Sequence, residues 1–152
     1  MESQADLSWL DAHYRAMPPV AALQLQPAAC DGEALRLRAP LAAHVNDKGC
    51  AFGGSLVSLM TLAGWGLVTL KLREAGLSAD VFVADTRVRY RAPLYADLEA
   101  RAWLATGQAW PDIAAALRAH GRVSVNIAAC VLMPGGGDAV RAEARYVAIG
   151  KG

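Results

Sequence analysis

The 152-residue sequence has little of what marks several classes of protein. Its 15 basic and 14 acidic residues leave a net charge of +1, so the charge predicts no nucleic-acid partner. The three cysteines, Cys30, Cys50 and Cys130, are scattered without CxxC spacing, which predicts reduced thiols, no disulfide framework and no metal site. Residues 1–17 are charged and lack the apolar core of a signal peptide. We therefore expect a cytoplasmic protein with no membrane or metal partner.

What the sequence does contain is one long uncharged run. It follows a polar loop that begins at His44, and it continues from Gly49 to Leu70 without a charged residue. A helix that is apolar on every side must be buried, in a protein core or in a bilayer, and about 20 such residues also suffice to span a membrane. Glycines, serines and threonines spread along the run, and strand patterns lie on both sides of it. The sequence therefore favours a central buried helix that ends near Gly76 over a membrane span.

Period-2 alternation of apolar and polar residues predicts strands on both sides of this helix. A hairpin precedes it, with alternating runs at 23–26 and 35–38 joined through Asp31-Gly32. Later strands are predicted at 81–91, 98–104, 123–131 and 140–146, and short helices at 6–17 and 111–119. Tight turns between successive strands imply an antiparallel sheet. We therefore predict one α+β domain over residues 1–152, with a strongly curved antiparallel sheet wrapped around the long central helix.

The loop and the start of that helix resemble a known signature. Residues 46–54, NDKGCAFGG, resemble the N-x-x-G-x-x-H-G-G pattern of hotdog-fold acyl-CoA thioesterases. Residues 52–65, FGGSLVSLMTLAGW, with YRAP at 90–93, are similar to the thioesterase family typified by the C-terminal domain of bacterial YiiD proteins. The resemblance implies a hotdog fold, a homodimer or dimer of dimers, and an acyl-CoA or acyl-carrier-protein substrate. It implies no cofactor, since coenzyme A or phosphopantetheine is part of the substrate.

Gly53 and Gly54 supply a physical reason for that chemistry. Two glycines at a helix start let a ligand approach the backbone closely, and the first turn leaves N–H groups without intrahelical partners. These donors, with the positive end of the helix dipole, form an oxyanion hole for a thioester carbonyl under attack by water. The alternative is that the two glycines only permit tight packing of the helix.

The catalytic candidates depart from the family pattern. Phe52 stands where the family has histidine, and Thr61 stands where related thioesterases have an acid; a threonine hydroxyl can orient water or the thioester but is a poor base. Asn46 matches the family's asparagine and is expected to position water or the thioester oxygen. Asp47 would be the base if it is desolvated; otherwise it is a turn residue. His44 is expected to be solvated or, less plausibly, to take part in the reaction.

Other residues are expected to bind the substrate. Phe52, Ser58 and Trp65 suit an acyl pocket, although core packing also explains the tryptophan, while Arg89 and Arg91 suit the phosphates of coenzyme A, although solvated strand arginines explain them equally well. The first hypothesis is therefore thioester hydrolysis. A non-hydrolytic acyl-binding module is the alternative that Phe52 and Thr61 favour. A hydratase on the same fold is weaker because its Asp/His pair is missing.

Overall fold

The structure is a computed structural model that describes the backbone of residues 4–31 and 33–152, and the side chains of 4–29 and 33–152. Helices and strands follow the predicted order, with a short helix at 18–21 and a 3₁₀ turn at 41–43 in addition. The elements, in chain order, are α1 Gln4–Arg15, α2 Pro18–Ala21, β1 Gln26–Asp31, β2 Ala34–Ala39, a 3₁₀ turn Leu41–Ala43, α3 Gly53–Glu74, β3 Ala79–Tyr90, β4 Leu98–Leu104, α4 Trp110–His120, β5 Arg122–Leu132 and β6 Asp138–Gly150.

The six strands form one antiparallel sheet in the order β1-β2-β4-β5-β6-β3. Helix α3 contacts five of these strands, β2 to β6, so the sheet curves around it. By length and composition alone α3 could cross a membrane, with a mean hydropathy of 1.5, but 56% of that apolar window is buried inside the protein, as in a core helix. The predicted α+β fold with a central helix is confirmed.

Two glycines in the middle of α3 let the surroundings pack closely against it. Gly64 lies beneath Tyr146 and Gly66 beneath Tyr14, and an added Cβ at either glycine would overlap the tyrosine hydroxyl. The hydroxyls donate to backbone carbonyls of α3, at 2.8 Å for Tyr146 and 2.6 Å for Tyr14. Burial raises the pKa of both tyrosines, so both remain protonated donors at neutral pH.

The first hairpin differs from the prediction. Pro18 occupies the first turn of the short helix α2, where proline needs no N–H partner, and a turn with Gln24 at φ 53° follows. Strand β1 therefore begins at Gln26, three residues later than the alternation of leucine and glutamine predicts. The antiparallel pairing of β1 with β2 is confirmed, while Gly32 of the predicted turn lies outside the described residues.

Glycines in the left-handed conformation mark the C-terminal ends of the two later helices. Helix α3 ends at Glu74, and Gly76 adopts the left-handed conformation with φ 76°, which confirms the predicted cap. Helix α4 ends in the same way before Gly121, at φ 70°. Strand β6 runs to Gly150, beyond the predicted 140–146, because its last residues pair with both β3 and β5.

Candidate functional site

The loop before α3 is a closed turn held by its own backbone and by one side chain. The N–H of Phe52 donates to the carbonyl of His44 at 2.7 Å, and the N–H of Asn46 donates to that of Cys50 at 2.8 Å. The side-chain oxygen of Asn46 accepts the N–H groups of Lys48, at 2.8 Å, and of Cys50, at 3.1 Å. Asn46 therefore shapes this loop, and its oxygen is already engaged within it.

His44 is buried rather than solvated, with 4% of its surface exposed. Its Nε2 lies 2.7 Å from the backbone carbonyl of Leu23, which can only accept, so Nε2 carries the proton. Its Nδ1 is then the acceptor for the hydroxyl of Ser55, at 2.8 Å. The pair joins the loop to the first turn of α3. Sequence reasoning missed Ser55, although a serine directly after two glycines at a helix start was visible.

In the described structure, two of the N–H groups in the first turn of α3 have no backbone acceptor. The N–H groups of Ser55 and Leu56 donate to the carbonyl of Phe52, at 3.0 and 3.2 Å. Phe52 is the N-cap residue and supplies no side-chain cap. Within the described residues, the N–H groups of Gly53 and Gly54 have no backbone acceptor. These are the two donors that the sequence predicts for an oxyanion.

Two exposed aromatic rings flank these donors. Tyr90, 56% exposed, donates its hydroxyl to the carbonyl of Gly53 at 3.0 Å. The ring of Phe52, 57% exposed, lies over Gly54 so closely that an added Cβ would come within 2.6 Å of it. The two glycines thus leave room for aromatic side chains against the helix backbone. Two exposed rings therefore lie beside the two N–H groups, and we call this group of residues the helix-start site (Phe52, Gly53, Gly54 and Tyr90).

The chain matches a family model over residues 10–150, described as Putative thioesterase (yiiD_Cterm). The chain belongs to the YiiD_C family. Its fold is similar to that of a protein of unknown function from Chlorobaculum tepidum TLS, with 24% identity, a TM-score of 0.88 and coverage of 97% of this chain and 100% of that one. The fold is also similar to that of a protein from Shewanella oneidensis described as a putative thioesterase. The identity is 24%, the TM-score is 0.87, and the match covers 97% of this chain and 99% of that one. For a thioesterase from Haemophilus influenzae the identity is 15%, the TM-score is 0.75, and the match covers 95% of this chain and 90% of that one. These likenesses show the shared hotdog fold.

Asp47 does not meet, within one chain, the condition that the sequence sets for a general base, which is desolvation. Its side chain is 80% exposed and lies 2.8 Å from the ammonium group of Lys48. Burial would be needed to make a carboxylate a stronger base. A basic role for Asp47 therefore requires a substrate or a second molecule that covers it.

Thr61 and Ser58 lie further along α3 on its partly exposed side. Thr61 is eight residues beyond Gly53, which places it about 12 Å away along the helix axis. It lines a cavity of about 10 Å³ together with Thr86, Tyr146 and apolar side chains that include Met60 and Ile127. That volume is at the lower limit for one water molecule, so an acyl chain requires the groove beside Thr61 to open.

Trp65 is engaged in packing, and the two strand arginines are exposed. The indole N–H of Trp65 donates to the carbonyl of Val81 at 3.0 Å, and its ring stacks on that of His13 at 5.3 Å. Trp65 thus joins α1, α3 and β3 rather than lining the helix-start site. Arg89 lies at the end of β3 and Arg91 just beyond it, both in solvent.

The buried cysteines and acidic groups do not form a metal site or a thiolate centre. Among the described residues, no three His, Cys, Asp or Glu side chains are grouped as metal ligands. Cys50 and Cys130 are free and buried, and the side chain of Cys30 lies outside the described set. Burial, followed by the neighbouring Asp138, raises the pKa of Cys130 to about 11, so its thiol stays protonated at neutral pH.

Proposed function

We propose that this protein hydrolyses an acyl thioester at the helix-start site. One observation carries the proposal: the N–H groups of Gly53 and Gly54 have no backbone acceptor in the described structure, although those of Asn46, Ala51 and Phe52 in the adjacent loop do. Membership of a family described as a putative thioesterase supports the same reaction. The flanking rings of Phe52 and Tyr90 suit an apolar acyl group.

In this reaction the thioester carbonyl oxygen accepts the N–H groups of Gly53 and Gly54. Water attacks the carbonyl carbon, and the negative charge that develops on the oxygen is stabilised by these donors and by the positive end of the α3 dipole. The carbon–sulfur bond then breaks, releasing a carboxylic acid and the thiol of coenzyme A or phosphopantetheine. One donor of this kind contributes about 100- to 1000-fold to the rate.

The group that takes the proton from water must come from outside the single chain's site. His44 has both ring nitrogens engaged, and Asp47 is solvated. We propose that Thr61 orients water or substrate, and that a second subunit either covers Asp47 or contributes the base. Asn46 then acts by holding the loop, and Arg89 and Arg91 remain candidates for the phosphates of the carrier.

The exposed edge of the sheet supports a dimer. Strand β3 pairs with β6 on one side, and no described strand lies on its other side. It is 12 residues long and exposes Phe82 and Val83. Long apolar edges pair with other chains unless they are blunted. We propose that two copies join through β3 as a homodimer or as a dimer of dimers. Light scattering at micromolar concentration that shows only a 16.0 kDa species would contradict this.

A non-hydrolytic acyl-binding module is the second candidate. The observation that favours it is the same lack of a free base: in the described structure the nearest imidazole and carboxylate are respectively buried and solvated. Such a module would keep the helix-start site and bind the acyl group without turnover.

A panel of acyl-CoA and acyl-carrier-protein thioesters, with a thiol-reactive dye to detect released thiol, separates the two candidates. Hydrolysis should appear with at least one thioester, and replacing Cys30, Cys50 and Cys130 by serine or alanine should leave it within a few-fold. Binding of acyl-CoA without thiol release across the panel would replace hydrolysis by the binding module.

A further inference from the structure

A row of arginines crosses the outer face of the sheet. Arg36 lies directly opposite Arg101 in the β2–β4 pairing, and Arg101 lies opposite Cys130 on β5. Cys130 lies opposite Arg141 on β6, which lies opposite Arg89 on β3. Directly opposed residues of antiparallel strands share a face. Four guanidinium groups, which we call the arginine row (Arg36, Arg101, Arg141 and Arg89), therefore span about 19 Å across five strands.

The row faces away from the core. Residues adjacent to it in each of the four inner strands are fully or almost fully buried towards α3: Leu35, Leu37, Ala100, Ala102, Ala129, Val131, Val140 and Ala142. Because side chains alternate between the faces of a sheet, the arginines lie on the opposite, outer surface. Like charges placed directly opposite each other destabilise a sheet, so folding alone does not explain this arrangement.

Among the described residues, carboxylates pair with two members of the row, Arg36 and Arg141. Glu99 lies 3.6 Å from Arg36, and it is shared with Arg38 at 2.9 Å. Asp138 lies 2.9 Å from Arg141. Arg36 and Arg141 therefore have acidic partners, and the exposed Glu143 lies two residues along β6 from Arg141 on the same face.

Two arginines of the row lack an acidic partner in the described structure. Among the described residues, Arg101 and Arg89 form no ion pair, and the buried Nε of Arg101 has no hydrogen-bond partner. Trp103 lies beside the row, with the guanidinium groups of Arg101 and Arg141 at 5.5 and 5.7 Å from its ring. Arginine and tryptophan together are typical of the energetic centres of protein interfaces.

We propose that the arginine row docks the acidic face of a carrier protein that delivers the acyl thioester. The inference rests on the proposed hydrolysis and selects carrier-bound thioesters as its substrate class. Charge complementarity identifies the partner, and the row's length over an open sheet face suits a protein surface better than a single nucleotide. Arg89 directly precedes Tyr90, whose hydroxyl contacts the helix-start site. Because successive side chains alternate between the faces of a strand, Tyr90 and the helix-start site lie on the opposite, inner face. The acyl arm of a carrier on the row therefore reaches the site by passing around the end of β3.

Hydrolysis of one acyl group on two carriers tests the proposal. The double variant Arg101→Gln/Arg141→Gln should raise KM for the thioester of an acidic acyl-carrier protein at least about tenfold, since charged interface centres of this kind are worth that much. Its hydrolysis of the acyl-CoA with the same acyl group should stay within about twofold of wild type, because charges that only dock the carrier leave the chemistry unchanged. The matched control is Arg122→Gln, on the same face about 27 Å along β5 from the row. It should change neither the KM for the carrier thioester nor the hydrolysis of acyl-CoA.

Direct binding keeps the docking proposal testable if no thioester is hydrolysed. Isothermal titration of the intact protein with the unloaded carrier protein should show binding that weakens in the double variant, and more at about 200 mM than at about 50 mM salt. Wild-type binding that is indifferent to both salt and the double variant would overturn the docking surface. An equal loss of acyl-CoA and carrier-thioester hydrolysis in the double variant would also overturn it.

Discussion

The two ends of α3 are built in opposite ways. At the C-terminal end, the N–H of Leu77 donates to the carbonyl of Leu72 at 2.9 Å and that of Gly76 to the carbonyl of Arg73 at 3.0 Å. A guanidinium N–H of Arg118 donates to the carbonyl of Ala75 at 2.9 Å. At the N-terminal end no side chain caps the helix, and two N–H groups are left open.

This difference in hydrogen bonding suggests different roles for the two ends, one in stability and one in function. Unsatisfied groups at a helix end are usually paired with side chains, turns or water, as they are after Glu74. At Gly53 and Gly54 the described structure supplies no backbone acceptor for the N–H groups, and the exposed rings of Phe52 and Tyr90 lie beside them. Changes that reach the open N–H groups should therefore reduce turnover, whereas changes to the bonds that hold either end should reduce stability.

The largest effect is expected from Gly54→Ala at the open end. The added methyl group would displace the ring of Phe52 and crowd the thioester carbonyl. Turnover should fall about 100-fold, the contribution of one oxyanion donor, and acyl-CoA binding should weaken with it. Alanine is a better helix former than glycine, so thermal unfolding should show unchanged or greater stability. Full activity in this variant would remove the helix-start site from the mechanism.

Ser55→Ala should give the next largest effect, on stability. It leaves the Nδ1 of buried His44 without its donor, and an unsatisfied buried group costs about 1–3 kcal/mol. Urea unfolding of this variant should be compared with that of Ser58→Ala, one turn along the same helix at a partly exposed position. If both serine variants unfold at the same midpoint, the His44–Ser55 bond is not what holds the loop to the helix.

The fold was readable from the sequence because its signals are local and periodic. An uncharged run of helix length and strands of period two determine the sheet around α3, and Gly76 and Gly121 marked their helix ends correctly. The first strand was misplaced because the leucine–glutamine alternation at 23–26 belongs to a turn after α2. Within the site, the pair of glycines was visible, but the partners of His44 and Gly53 were not, since Leu23 and Tyr90 approach them only through tertiary packing.

At the closed end, Gly76→Ala should cost about 1 kcal/mol of stability, because a residue with a Cβ is disfavoured at the left-handed φ of 76°. Nothing lies within 4 Å of the added methyl group, so packing should not change. The melting temperature should drop by a few degrees while kcat and KM per folded protein remain those of wild type. A selective loss of turnover would mean that the two ends of α3 are coupled.

The smallest effect is expected from Asp47→Asn, which tests whether the loop before the open end takes part in the reaction. The carboxylate is 80% exposed and paired only with the exposed Lys48, and such ion pairs contribute about 0–1 kcal/mol at most. Because no described residue buries this side chain, turnover should stay within about threefold, whereas loss of a true general base typically costs about 100- to 10000-fold. The pH profile of kcat/KM should be measured for both proteins. A fall near 100-fold with loss of the acidic limb of that profile would show that a second subunit buries Asp47 and makes it the base. Wild-type rates would limit Asp47 to the turn and leave the base to be found on the partner.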